Sequence, residues 1–159
     1  MKFRKIEEIE AWQLAREQAR NIWRASQTGT FSKDFRLKDQ INAAAGSVMD
    51  NIAEGFGRGG TREFIQFLAI ARGSAQEVKS QIVRALDREH LTPEEYSKLF
   101  RQSEKVIYKV NKLLLALQNS PYRGSKYQHR RGGPEEKLED VFSIYEPPSI
   151  EDDLLPFLE

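Results

Sequence analysis

At 159 residues, 39% of them hydrophobic and 31% charged, the chain is long enough for one domain with a real core and has the composition of amphipathic helices. It has no cysteine, which excludes a disulfide framework, thiolate metal ligands and a cysteine nucleophile. No run of about 18 apolar residues occurs, and residues 1–8 turn acidic where a signal peptide turns apolar, so a cytoplasmic protein is expected. The net charge of +1 hides a split: residues 1–120 hold 20 Lys/Arg against 15 Asp/Glu, whereas residues 134–159 hold one Lys and nine acids.

Four segments carry helical periodicity and none carries sustained strand alternation. The first spans about residues 5–27, with Ile9, Trp12, Ala15, Ala19, Ile22 and Trp23 along one side, and Gly29 breaks it. The second spans about 36–54 with Leu37, Ile41, Ala44, Ala45, Val48 and Ile52, and is expected to stop at Gly55, Gly57, Gly59 and Gly60. The third spans about 61–90, with an apolar stripe from Phe64 and Leu68 through Ala71, Ala75, Val78 and Ile82 to Leu86. The fourth opens at Thr92-Pro93-Glu94-Glu95, a capping box with proline at the first helical position, and runs to about Asn119. Four amphipathic helices with short connections predict an all-α, up-and-down antiparallel four-helix bundle over residues 1–120. Leu14, Ile65 and Ile70 lie off the main stripes, and such wide apolar faces point to self-association.

Beyond the bundle, residues 121–133 read as a flexible basic linker carrying Arg123, Lys126, Arg130 and Arg131. Residues 134–159 form an acidic, hydrophobic tail outside the bundle, in which Pro147, Pro148 and Pro156 prevent one long helix.

The search for chemistry finds little. His90 belongs at a helix end, where a cation can cap carbonyls, and His129 lies among linker cations. No Glu-x-x-His pair occurs, so neither a di-iron bundle nor a zinc site is supported. Residues 55–60, Gly-Phe-Gly-Arg-Gly-Gly, lack the ending of a P-loop and follow a helix. They read as an interhelical turn, with a nucleic-acid contact through Arg58 and Arg62 as the second reading. Asn51 and Glu54 share a helical face and read as a hydrogen-bond network or helix-end contact. No catalytic residue, metal or cofactor is assigned, and a non-enzymatic protein is expected.

What remains is charge. Lys98, Arg101, Lys105, Lys109 and Lys112 recur at steps of three and four, which puts them on one helical face, and Arg16, Arg20 and Arg24 do the same on the first helix. Glu104 and Glu17 flank the rows without interrupting them. Three counter-charges are open: salt bridges to neighbouring helices, nucleic-acid phosphate, and the chain's own acidic segment. Base-specific reading is not expected, because the rows lack interleaved aromatics.

Two stretches carry a family resemblance. Gln40-Ile41, Ala44-Ala45, Ser47-Val48 and residues 51–58, Asn-Ile-Ala-Glu-Gly-Phe-Gly-Arg, form the first. Phe64, Phe67-Leu68, Ile70-Ala71, Gly73-Ser74-Ala75 and Glu77 form the second. Over about residues 3–118 the chain resembles the four-helix-bundle proteins encoded in 23S rRNA intervening sequences. The resemblance implies an up-and-down bundle assembled as a ring-like homopentamer with a basic surface. It further implies kinship to the accessory variability proteins of diversity-generating retroelements, which bind a reverse transcriptase and nucleic acid. Gly73 and Ser74 would then permit close helix packing, while Gly55, Asn51 and Glu54 keep structural roles. Relatives often carry arginine where Asn42-Ala43 stands here, and residues from about 121 onward lie outside the resemblance. The expectation is a non-enzymatic oligomeric accessory protein that binds nucleic acid, RNA first, through its basic helix faces. The alternative is a scaffold that holds a partner such as a reverse transcriptase through its tail or its helix faces.

Overall fold

In a computed structural model, which describes residues 3–119, the chain forms four α-helices and two single 3-10 turns, Ile6–Glu8 and Phe31–Lys33. The helices are α1 (Glu10–Ser26), α2 (Phe35–Gly57), α3 (Thr61–Asp87) and α4 (Pro93–Gln118). The linker and tail expected over residues 121–133 and 134–159 lie outside the described residues. Successive helices pack against one another and α1 closes the ring against α4, an up-and-down four-helix bundle.

Cross-helix bonds fix the antiparallel levels. Lys109 on α4 meets Glu10 at the start of α1, and Gln18 meets Ser103 half-way along both helices. Ser47 on α2 likewise sits beside Ser74 on α3. Periodicity supplies the core: Ile9, Ala15 and Ile22 from the first segment, Ile41, Val48 and Ile52 from α2, Leu68, Ala75, Val78 and Ile82 from α3, and Val106, Val110 and Leu114 from α4 are all buried. Burying each of the larger of these side chains contributes about 1.5–3 kcal/mol.

The helix ends follow local chemistry. Thr92 Oγ1 accepts the Glu95 N–H at 3.2 Å, and the Glu95 carboxylate accepts the Thr92 N–H at 2.9 Å, so the predicted capping box starts α4. Asp34 caps α2 by accepting the Leu37 N–H at 3.1 Å. Gly29, with φ of +56°, carries the left-handed turn after α1.

The expected stop of α2 at Gly55 is corrected. The helix runs through Gly57, and the residue that reverses the chain is Gly59, with φ of +70°. Gly55 instead admits a neighbouring helix. It is buried, and a Cβ there would lie 2.6 Å from Phe67 Cβ and 2.9 Å from Phe64 Cδ2. Only a residue without a side chain lets α3 cross so close. Gly73, expected to do the same, faces open space with no atom within 4 Å of the Cβ position. It is exposed, so the tight crossing belongs to Gly55 alone of the two.

Trp23 is a second correction. It stands one residue, about 100° of helical turn, past the buried Ile22, which rotates it out of the core. It is 57% exposed, whereas Ile22 is buried.

Candidate nucleic-acid interface

The cation row of α4 arises because its core positions, Leu99, Ser103, Val106, Val110 and Leu113, fix which side faces inward. Lys98, Arg101, Lys105 and Lys112 fall on the other side and are exposed, while Lys109 is half-buried. On α1 the inward positions are Ala11, Ala15, Gln18, Ile22 and Ser26, which leaves Arg16, Arg20 and Arg24 pointing outward and exposed. α1 and α4 are adjacent in the bundle, and each carries its row on the side away from the core.

The structure sorts these cations into two groups. Lys109 Nζ donates to Glu10 Oε2 at 2.8 Å, Arg101 Nε donates to the Ser97 carbonyl at 3.2 Å, and the Arg16 guanidinium lies 5.8 Å from the Trp12 ring centroid. Lys98, Lys105, Lys112, Arg20 and Arg24 make no ion pair among the described residues. The flanking acids have bonds to neighbouring helices. Glu104 is paired with Lys79 of α3, and Glu17 accepts from Gln102 at 3.4 Å.

Arg58 and Arg62 sit apart from these rows, at the α2–α3 turn. Arg58 Nη2 donates to Glu54 Oε1 at 2.5 Å and its guanidinium lies 5.1 Å from the Phe67 ring centroid, so it is engaged locally. Arg62 is exposed on the first turn of α3. Asn51 Nδ2 donates to the Ser47 carbonyl at 2.8 Å and to Ser47 Oγ at 3.1 Å, and Ser47 Oγ lies 2.9 Å from Ser74 Oγ. Asn51, Ser47 and Ser74 therefore form a polar link across the α2–α3 seam. Glu54 serves as a helix-end contact through Arg58.

The expectation that no aromatic interrupts the rows is overturned. Tyr108, three residues after Lys105 and four before Lys112, is 54% exposed, and Lys109 Nζ lies 5.9 Å from its ring centroid. Its spacing from the lysines is legible in the sequence, and its exposure follows from standing two positions from the buried Val106 and Val110.

A polar cluster at the end of the bundle near the α3–α4 turn carries no sequence signal as a unit. His90 is not in α3; its ring stacks on Phe31 with centroids 5.2 Å apart. Its Nε2 lies 3.0 Å from Asp34 Oδ2 and its Nδ1 lies 2.9 Å from Thr30 Oγ1. Arg88 Nη1 also donates to Asp34 Oδ2, at 2.5 Å. The bonds from Arg88, then His90, then the Leu37 N–H lower the Asp34 carboxyl from 3.8 to about 2. Beside this cluster a polar groove of about 430 Å³ opens between α2 and α3, lined by Arg36, Gln40, Glu77, Gln81, Arg84 and Arg88.

Among the described residues no group of His, Asp and Glu is placed to hold a metal ion, and no helix is long and apolar enough to cross a membrane.

Known proteins share this bundle. A crystal structure of a protein of unknown function from the S23 ribosomal protein family of Bacteroides thetaiotaomicron superposes with a TM-score of 0.61 at 22% identity, covering 66% of this chain and 95% of that one. At that identity the likeness shows the fold. No curated protein matches. The family model for the 23S rRNA-intervening sequence protein matches residues 7–112, which takes in all of α1, α2 and α3 and most of α4. With more than half of its length matched and the expected bundle in place, the chain belongs to the 23S rRNA-intervening sequence protein family.

Proposed function

We propose that the protein is a non-enzymatic, oligomeric accessory protein that binds nucleic acid, RNA first, through the basic faces of α1 and α4. The supporting observation is the set of exposed cations on two adjacent helices, Lys98, Lys105, Lys112, Arg20 and Arg24, that have no ion pair among the described residues. Like charges at helical spacing cost about 0.2–0.5 kcal/mol per pair in the free protein, and a phosphate backbone removes that cost while releasing counterions. Support for self-association comes from the opposite side, where α2 and α3 expose small or uncharged residues, among them Ala43, Ala69, Ile70 and Gly73. By family kinship the assembly is a ring-like homopentamer in the cytoplasm.

Filter binding across a salt series is the test. If Lys98, Lys105 and Lys112 meet phosphates, their simultaneous change to Gln reduces the slope of log affinity against log salt by about 2 for a single strand. Binding that is absent, or indifferent to salt, refutes the reading.

A second reading is favoured by Phe35, which is 68% exposed at the start of α2. In it the protein is a scaffold holding a partner such as a reverse transcriptase, as kinship to the retroelement accessory proteins implies. Pull-down with Phe35→Ser, losing the partner while nucleic-acid binding stays unchanged, separates it from the first.

A further inference from the structure

We infer that the groove between α2 and α3 is a small-molecule site for a nucleoside monophosphate with an exocyclic amine, its phosphate among Arg36, Arg84 and Arg88 and its amine at Glu77. The lining residues share faces by register. Arg36 and Gln40 stand four apart on α2, and Glu77, Gln81, Arg84 and Arg88 recur at steps of four, three and four on α3. Arg84 Nη1 donates to Gln40 Oε1 at 3.4 Å, which sets these two level across the groove. The two helices are antiparallel, so one turn further on Arg36 and Arg88 are level in turn. The guanidiniums therefore gather at the end of the groove nearer the α3–α4 turn. Glu77 lies seven residues before Arg84, about 10 Å along the axis.

The positive charge at that end is not balanced among the described residues. Arg88 donates to Asp34 Oδ2 at 2.5 Å, Arg84 has only the neutral Gln40 amide, and Arg36 makes no hydrogen bond or ion pair there. A guanidinium presents a rigid fork of donors that matches a phosphate, and two from different helices can hold one phosphate between them. The other end is rich in acceptors. Glu77 Oε1 accepts from Gln81 Nε2 at 3.0 Å, and the carboxylate keeps lone pairs for a further donor. Gln81 is 3% exposed, and its Oε1 is buried without a partner among the described residues. An unpaired buried amide oxygen costs stability, so an apolar residue would serve packing better. A polar floor beside an arginine cluster points to recognition.

Size selects the ligand. The groove holds about 430 Å³, within the range of small-molecule clefts and far more than a bare phosphate fills. A phosphorylated sugar reaches the arginines but stops short of Glu77. A nucleoside monophosphate spans the distance, and adenine or cytosine ends in an amine that donates where Glu77 accepts. No residue of α1 or α4 lines the groove, so this site is independent of the cation rows.

Isothermal titration calorimetry of the full chain compares adenosine monophosphate, inosine monophosphate, adenosine and inorganic phosphate. Adenosine monophosphate is expected to bind at least about tenfold more tightly than each of the others. Arg36→Gln and Arg84→Gln each weaken it at least about tenfold, because each removes a charge-assisted bond. Glu77→Gln erases the preference over inosine monophosphate, since an amide can turn either its N–H or its carbonyl to the ligand. The three side chains are exposed, and circular dichroism checks that each variant keeps the bundle. Inorganic phosphate binding as tightly as adenosine monophosphate would make the groove an unselective anion site and overturn the inference. So would a failure of adenosine monophosphate to bind, or arginine variants that keep full affinity. If the variants instead change the mass of the oligomer and no nucleotide binds, the groove is a protein contact and the inference is overturned as well.

Discussion

The α2–α3 seam and the α1–α4 seam are joined by different physics. Along α2–α3 the helices meet through Val48, Ile52, Phe64, Leu68, Ala71 and Ala75, and the crossing is close enough that Gly55 has no room for a Cβ. Along α1–α4 the seam holds a buried polar pair, Gln18 and Ser103, and a rim ion pair, Glu10 and Lys109. The outward sides differ in charge pattern: α2 and α3 expose acids and bases together with Ala43, Ala69, Ile70 and Gly73, while α1 and α4 carry rows of cations. Both seams carry a polar link, Ser47–Ser74 on one and Gln18–Ser103 on the other, but only the α2–α3 crossing is too close for a Cβ at Gly55. A helix that must display charge outside and keep a fixed rotation is well served by an interior hydrogen bond, because such a bond is lost when the helix turns.

The difference can be broken most forcefully at Gly55. Gly55→Ala is expected to destabilise the bundle by about 1–3 kcal/mol, since overpacking against Phe64 and Phe67 outweighs the helix gain of about 1 kcal/mol. Gly73→Ala, with open space around it, is expected to have the opposite sign, a gain of up to about 1 kcal/mol. Urea unfolding of both variants checks the pair, and equal effects would end the claim that the two glycines do different work.

The Gln18–Ser103 link gives the next largest effect. Gln18→Ala leaves Ser103 Oγ with only its bond to the Leu99 carbonyl and is expected to cost about 1–3 kcal/mol. The double change Gln18→Leu with Ser103→Ala removes both partners and should recover most of that loss. A double change as damaging as the single one would show that packing, not hydrogen bonding, holds α1 to α4.

At the end of the bundle the test is pH. Asp34 ionises near 2 in the folded chain and near its ordinary value of 3.8 when unfolded, so its contribution is full above about pH 4–5 and is lost as pH falls toward 2. Asp34→Asn keeps some capping ability but should flatten stability against pH over that window. An unchanged profile in a chemical-denaturation series at about pH 2–5 would show that the Asp34 carboxylate contributes nothing there.

The smallest effect belongs to the cation rows. Lys98→Gln, Lys105→Gln and Lys112→Gln should each leave stability within about 0.5 kcal/mol, because they are exposed and have no ion pair to lose among the described residues. A large loss would mean that the row is structural.

Local rules carry most of the fold. The capping box at Thr92 and the apolar stripes of α2, α3 and α4 report short-range physics, so helix type and inward face are legible in the sequence. The end of α2 is not, because a glycine can either stop a helix or admit a neighbour, and only the position of Phe67 decides between them. The rows on α1 and α4 are also plain from spacing. Which of their cations are paired is not, since Glu10 meets Lys109 and Lys79 meets Glu104 across helices far apart in sequence. Trp23 falls on the inward stripe by hydrophobicity alone, because such a stripe is wider than the surface the neighbours cover. The Asp34–Arg88–His90–Thr30 cluster joins residues more than fifty positions apart and leaves no local pattern to find.

On α4 the inward register, Leu99, Ser103, Val106 and Val110, and the outward register, Lys98, Arg101, Lys105 and Lys112, interleave on one helix without sharing a position. Mutational drift can therefore erase, thicken or re-aim the charge while the interior is held constant. Such charge changes can proceed in single steps, with no valley of unfolded intermediates between them.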